Sequence, residues 1–596
     1  MSRRLVTAFL AVLALGILAG PARAADAPIQ LSVGSAFANS LDLSAIRVSA
    51  VQDDGRVKTF DSLARERLKL VNSSRAMREI DPVLLYLDMV LVPEHYVGTN
   101  VIFVKKPMIR TQITQGVRSI VLPENRQGAI AEAELQRIEQ TGLVSPIFLD
   151  QPAVRQVLAA MERDLMRTSR EVNAIQAARS LSDAGVLLSL WRPVPPVGGK
   201  DTDPWLTVAQ AARGMMSAPG RPMPAATGLA ERSAAIGAAW QSLENAWRFQ
   251  DAAAAGQALN TLAQNFALVE PRLYPAAARL SWEHWYYKND KMTMVWLVYF
   301  LALPFLLMAT VYRFRWARVA GLTLFVTGFA LQTFSIVLRW WLAGRIPNSN
   351  MFEAVTASAW FGALAAIVLE LVLRRWPVKN LPALAASTYA MFALMIGHFM
   401  PVTLNSDIST VMPVLDRTIW LYIHTNMVIA SYALIFFGGV TATLYLAGRA
   451  LNAWVTSPRL AEAWAGTGGT GALRGGAGSL ILGRGLAPGD ENRSGLAKSL
   501  DGATMIFLEL AFITLWVGTI LGAVWAYFSW GRPWGWDPKE VFALNTWLVF
   551  LVLLHVRYKV KDKALWTAIL AVIGCAVMIF NWVAVNFVIV GLHSYA

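Results

Sequence analysis

From residue 293 to the C-terminus the chain is dominated by eight apolar runs, at 293–312, 319–338, 351–373, 381–400, 419–448, 503–528, 541–556 and 565–590. Each meets or approaches the roughly 20 residues that a helix needs to cross the hydrocarbon core of a bilayer. Runs of this length select helices, because a helix satisfies every backbone polar group within its own segment. The expected fold class is a polytopic α-helical membrane protein of about eight transmembrane helices, carried on residues 291–596. Arg313, Arg315 and Arg318 follow the first run, Arg374, Arg375 and Lys379 the third, and Arg557, Lys559, Lys561 and Lys563 the seventh. The alternate loops, at 339–350, 401–418 and 529–540, hold fewer basic residues. The positive-inside bias places the basic loops on the cytoplasmic side and the others outside. It also absorbs the formal charge of +14, which in a soluble protein would point to a polyanion. No nucleic-acid partner is implied.

Residues 1–24 read as a signal peptide. Arg3 and Arg4 precede an apolar core from Leu5 to Leu18, and Ala22-Arg23-Ala24 is a small-x-small cleavage site. Cleavage after Ala24 and retention as an anchor both fit, and both export the residues beyond it. Residues 25–290 hold no spanning run and form the expected extracytoplasmic (periplasmic) domain, α+β and mainly helical. A C-terminus reached after eight crossings lies on that same side of a bacterial inner (cytoplasmic) membrane. Residues 45–60 read as a hairpin turning at Asp53-Asp54-Gly55. Asn100–Val104 and Ser119–Leu122 are further strand candidates, and Ala129 to Ala278 has a helical pattern. Gly466 to Gly502, Gly-rich with scattered Arg, reads as a flexible cytoplasmic loop. The single cysteine, Cys575, sits in an apolar run, and no CxxC or CxxCH occurs. That excludes a disulfide framework, a c-type cytochrome and a CxxC oxidoreductase.

Chemistry concentrates at the outer loops. Residues 529–540 read Ser-Trp-Gly-Arg-Pro-Trp-Gly-Trp-Asp-Pro-Lys-Glu. Trp530, Trp534 and Trp536 suit interfacial anchoring. Asp537, Pro538 and Glu540 suit an N-cap, a first helical residue and a capping box. Three Trp and two Gly within 530–536 also make a flat apolar platform for a large planar ligand. Four of the six histidines lie in or beside the spans: His398, His424, His555 and His593. Intramembrane ionisable groups are functional candidates by default. His424 lies near the outer end of the fifth run and His593 just past the outer end of the eighth. His555 follows Pro538 by 17 residues, roughly 26 Å deeper at 1.5 Å per residue. The sequence therefore permits an outer haem position between His424 and His593 and an inner one touched by His555. His398 is an alternative outer ligand. His95 and His284, isolated in the exported domain, read as structural or surface residues. Arg339, Arg345, Arg532 and Lys539 are outer cations able either to meet haem propionates or to snorkel. Asn350-Met-Phe-Glu353 resembles a helix-start cap.

WGWDPKE at 534–540 is similar to the tryptophan-rich WWD motif of haem-handling proteins. Thr546-Trp-Leu, Leu554-His555, the terminal Gly591-Leu-His-Ser-Tyr595, Gly344-Arg-Ile-Pro-x-x-Asn-Met-Phe-Glu353 and Pro413…Trp420-Leu-Tyr-Ile-His424 resemble the CcsA (ResC) branch. The resemblance covers roughly residues 290–596 and implies system II cytochrome c biogenesis. It implies that haem b, as transported substrate, crosses to an external WWD site and is attached to the CxxCH thiols of apocytochrome c. It makes the chain a subunit of a cytochrome c synthase (haem lyase). His424 and His593 then resemble the axial ligands of the external haem iron, kept reduced by bis-histidine ligation, and His555 the transmembrane ligand. Trp530, Trp534, Trp536 and Asp537 belong to the platform, and Arg345 to the haem-binding set. Fused family members carry a CcsB (ResB) portion that this chain lacks, so a separate CcsB/ResB-like membrane protein is the expected partner. The competing reading is a haem exporter that serves a separate chaperone, like the CcmC branch.

Overall fold

The computed structural model describes residues 29–72, 80–120, 132–164, 167–217, 228–347, 350–375, 378–400, 404–408, 410, 419–455 and 495–589. The signal-peptide reading, the Gly466–Arg493 stretch and His593 lie outside the described residues. The chain divides into two compact units between Asn289 and Asp290.

The N-terminal unit is mainly helical, with two small antiparallel sheets among its described residues. Strands β1 (Ala50–Asp53) and β2 (Arg56–Thr59) form the expected hairpin, with Ala50 opposite Thr59. Asp54 and Gly55 both have positive φ, as a two-residue loop of this twist requires. β3 (Ile102–Phe103) falls within the strand candidate Asn100–Val104 and pairs with β4 (Leu143–Val144). Ser119 and Ile120 instead close the helix Pro107–Ile120. There Ile109, Ile113 and Val117 are buried at helical spacing, which overrides the local β-propensity. Phe60 stacks on Trp191 at 4.6 Å in the core. Asp88 is buried there and accepts hydrogen bonds from Trp247 Nε1 at 2.8 Å and Tyr96 Oη at 2.5 Å.

Among the described residues, eight helices of the second unit are long and apolar enough to cross a membrane: Asp290–Val311, Arg315–Ala343, Met351–Val372, Leu381–Phe399, Ile419–Leu451, Leu496–Trp530, Pro538–Lys559 and Lys563–Asn586. The sixth begins earlier than expected, since 495–502 is helical and not loop. Leu496, Ala497, Leu500 and Ala503 pack inward at helical spacing, and this apolar stripe overrides the two flanking glycines. The first span packs on the second and fourth, the third on the fourth and fifth, and the fifth on the sixth and eighth. In hydrocarbon, helices associate by close packing of small side chains. The fourth span accordingly buries Ala383, Ala385, Ala386 and Ala390 almost completely.

Charges gather at the helix ends. Arg449 pairs with Asp562 and Arg557 with Asp501, each at 2.8 Å. These pairs bring together the end of the fifth span, the start of the sixth and the turn between the seventh and eighth, as alternating crossings require. At the opposite end stand the Trp-rich loop and a buried cluster of Arg339, Glu353 and Arg345.

Candidate functional site

The seventh span starts as its sequence dictates. Asp537 caps it, Pro538 occupies the first turn, and a complete capping box links Asp537 and Glu540. Glu540 does more than cap. One carboxylate oxygen accepts from Gly535 N at 2.8 Å and from Asp537 N at 3.1 Å, so it holds the Trp loop against the helix start. Asp537 is buried. The loop is not a flat platform. Trp534 and Trp536 meet edge to face at 89°, with centroids 5.9 Å apart. The left-handed backbone of Trp536 (φ 56°) turns its ring away, leaving it 74% exposed. Trp530 packs edge-on against the buried Trp525 at 4.8 Å.

Under this loop lies a cavity of about 290 Å³. That is close to the lower end of the roughly 300–1,000 Å³ of small-molecule sites. Its walls come from the starts of the third, fifth and seventh spans and the ends of the sixth and eighth. His424, Trp525, Trp534, Phe542 and Trp582 supply most of the aromatic surface, and Asn350, Lys539, Glu540, Asn581 and Asn586 the polar groups. The eighth span ends there in a π-helical turn, Ala584–Val588, a deviation often found beside functional sites. Asn581 is buried and donates to Thr546 Oγ1 at 2.9 Å.

His424 is held firmly. Its Nδ1 lies 2.7 Å from the carbonyl oxygen of Gly518 on the sixth span. A carbonyl only accepts, so Nδ1 carries the proton and Nε2 the lone pair that a metal needs. The ring lies nearly parallel to Trp525, at 11° and 6.5 Å between centroids. These donors suit a haem: one basic imidazole nitrogen, several indoles for a flat apolar macrocycle, and a lysine with three asparagines for carboxylates.

The other predicted residues stand elsewhere. His555 is on the same unbroken helix as Pro538, so the depth argument holds. It is exposed on the outer face of the seventh span, where its Nδ1 donates to Leu551 O at 2.7 Å. His398, the alternative outer ligand, is not on the cavity wall. It is bonded through Nδ1 to Thr293 Oγ1 at 3.0 Å. Arg345 and Arg339 both pair with Glu353, at 2.9 and 2.8 Å, and neither lines the cavity. Arg339 also donates to the carbonyls of Ser406 and Asp407. Two guanidiniums thus share one buried carboxylate. Asn350 connects this cluster to the cavity: it caps the third span through Glu353 N at 2.8 Å and also lines the wall. His95 bonds to Gln30 O and His284 to Asp61, both at 2.9 Å, so each is structural. Reading the sequence missed Gly518, Gly522 and Trp525. The usable signal was the Gly-x-x-x-Gly spacing within an apolar helix.

Residues 348–593 match the family model described as Cytochrome C assembly protein. The chain is 32% identical over 264 residues to the cytochrome c biogenesis protein CcsA of Prochlorococcus marinus (strain MIT 9313), covering 44% of this chain and 80% of that protein. It is also 32% identical over 311 residues to CcsA of Prochlorococcus marinus (strain NATL2A), covering 50% of this chain and 92% of that protein. The chain belongs to the CcsA family. As a CcsA-family protein it is a multi-pass membrane protein of cytochrome c maturation, a process that brings haem and apocytochrome c together. Every residue that lines the cavity lies within the 348–593 match. The family model does not extend into the N-terminal unit.

Proposed function

We propose that this protein moves haem b across the bacterial inner membrane and presents it in the cavity under the Trp loop for attachment to apocytochrome c. The observation that carries this reading is His424, fixed as the Nδ1–H tautomer on an indole-lined wall beside the WWD-like motif. His424 Nε2 is one axial ligand of the external haem and His593 the other. Trp534 lies against the macrocycle. Trp530, Trp536 and Asp537 shape the loop, and Glu540 fixes its backbone. Lys539 and Asn350 face the propionates, and the Arg339–Glu353–Arg345 cluster stands behind them. His555 is the deeper ligand, on a face that a CcsB/ResB-like partner covers, because an imidazole facing lipid is costly. Haem supplies the vinyl groups. Each CxxCH thiol adds across one of them, sulfur to one carbon and the proton to its neighbour, so no oxidant is consumed. The protein contributes position and control of the iron.

The N-terminal unit and the C-terminus lie outside the cytoplasm in this reading, and the N-terminal unit docks the partner or the apocytochrome. Deleting residues 25–285 should then lower holocytochrome c output; unchanged output removes that role. The central test is co-expression with an apocytochrome c and a CcsB-like protein in a host lacking its own system. Covalent haem on the substrate is the expected result. Haem on the purified protein without covalent product would indicate a carrier serving a separate chaperone. A purified sample with no Soret band would end both readings.

A further inference from the structure

The seat of His424 is built by the sixth span. Gly518, Gly522 and Trp525 fall at i, i+4 and i+7, one face of the helix. A Cβ on Gly522 would lie 2.6 Å from His424 Cε1 and 2.8 Å from its Nδ1, closer than real Cβ contacts come. A Cβ on Gly518 would lie 2.9 Å from Val428 Cγ2 and 3.1 Å from Val428 N, so the fifth and sixth spans could not approach as they do. Each interior glycine costs about 1 kcal/mol of helix stability relative to alanine. Here that cost is matched by contact with an imidazole. A carbonyl oxygen has two lone pairs, so Gly518 O can take the imidazole proton without losing its own helical bond.

Resting on the proposed reading of His424 as an axial ligand, we infer that Gly518 and Gly522 are positioning residues for that ligand. The Gly518 carbonyl fixes the Nδ1–H tautomer and the orientation of the ring, as the outer partner of a metal-binding histidine does. The missing side chain at Gly522 leaves the volume in which the ring lies, parallel to Trp525. The sixth span therefore controls the ligand strength of a residue on the fifth.

The test is Gly522→Ala in the full chain, purified with its haem. Haem per protein, the low-spin absorption spectrum and the response to added imidazole are read together. Haem retention should fall at least about tenfold, the usual cost of disturbing an outer-shell partner. Added imidazole should restore the low-spin spectrum. Gly502→Ala, on the same helix where a Cβ meets nothing within 4 Å, should retain haem normally. A glycine that serves only helix packing predicts lower yield and stability in Gly522→Ala with no recovery of the low-spin spectrum in added imidazole. Normal occupancy and spectrum in Gly522→Ala, with haem lost in His424→Ala, would overturn the inference and leave the ligand assignment standing. A normal spectrum in His424→Ala would instead overturn the ligand assignment itself. Should Gly522→Ala fail to fold, the double variant His424→Ala/Gly522→Ala removes the ring that alanine strikes and should recover yield; no recovery overturns the inference.

Discussion

Two histidines in the two units donate through the same atom and do different work. In the N-terminal unit, His284 Nδ1 bonds to Asp61, a carboxylate with no exposed side-chain surface that also receives Arg47 at 3.1 Å and Arg65 at 3.0 Å. The imidazole there is one of several donors that make a buried charge tolerable. In the membrane unit, His424 Nδ1 bonds to a neutral backbone carbonyl, and the ring borders a cavity. The N-terminal unit uses its polar groups to satisfy one another. The membrane unit pairs charges at its helix ends and holds an imidazole at one mouth. Residue type is therefore a poor guide to role, and the partner on Nδ1 a good one.

The sharpest way to break this comparison is to truncate both rings. His424→Ala should abolish haem binding at the cavity while leaving the protein folded, with partial recovery in added imidazole, read by the Soret band. His284→Ala should leave the spectrum unchanged. Equal spectra in the two variants would erase the distinction. Next in size is the carboxylate that His284 serves. Asp61→Ala leaves Arg47 and Arg65 without their buried partner, and losing one side of such a group costs about 3–5 kcal/mol. The expected outcome is early unfolding of the N-terminal unit, seen by limited proteolysis of the full chain, with haem still bound.

Acid should separate the units in the same way. Burial alone would raise the Asp53 and Asp61 carboxyls. Lys58 and Arg67 outweigh it at Asp53, and His284 and Arg65 at Asp61, so both are held below the ordinary carboxylate value. A depressed carboxyl contributes stability above its unfolded value, near pH 4, and loses it as pH falls through the folded value. Protease sensitivity of the N-terminal unit should therefore rise below about pH 4, ahead of any loss of helix in the membrane unit. Resistance of the N-terminal unit down to about pH 2 would show that these pairs contribute little.

Much of this was legible in the sequence, for identifiable reasons. Spans are written in runs of neighbouring residues, so all eight were found. The Asp537–Glu540 capping box and the Asn350 cap are local patterns and formed as read. The depth of His555 followed from helix rise alone. Contacts across distant segments were not legible. Gly518 lies 94 residues from His424, and nothing local indicates which helix face meets which. The pairing of Arg345 with Glu353 was not legible either, although the two share one short motif, because the motif does not fix where either side chain points. β4 was overlooked because two residues carry no periodicity.

The smallest effect tests how the Trp loop is held. Glu540 joins that loop to the seventh span through two backbone amides, and a capping interaction of this kind contributes about 1 kcal/mol. Glu540→Gln keeps an acceptor oxygen and should change thermal stability by less than that. Glu540→Ala removes the acceptor, frees Gly535 N and Asp537 N, and should cost about 1 kcal/mol. Its more telling consequence is local: Trp534 loses the backbone that aims it at the cavity, so oxidative labelling of Trp534, located by peptide mass spectrometry, should rise. If Glu540→Ala leaves both labelling and haem retention at wild-type levels, the loop is held by its tryptophans rather than by the carboxylate.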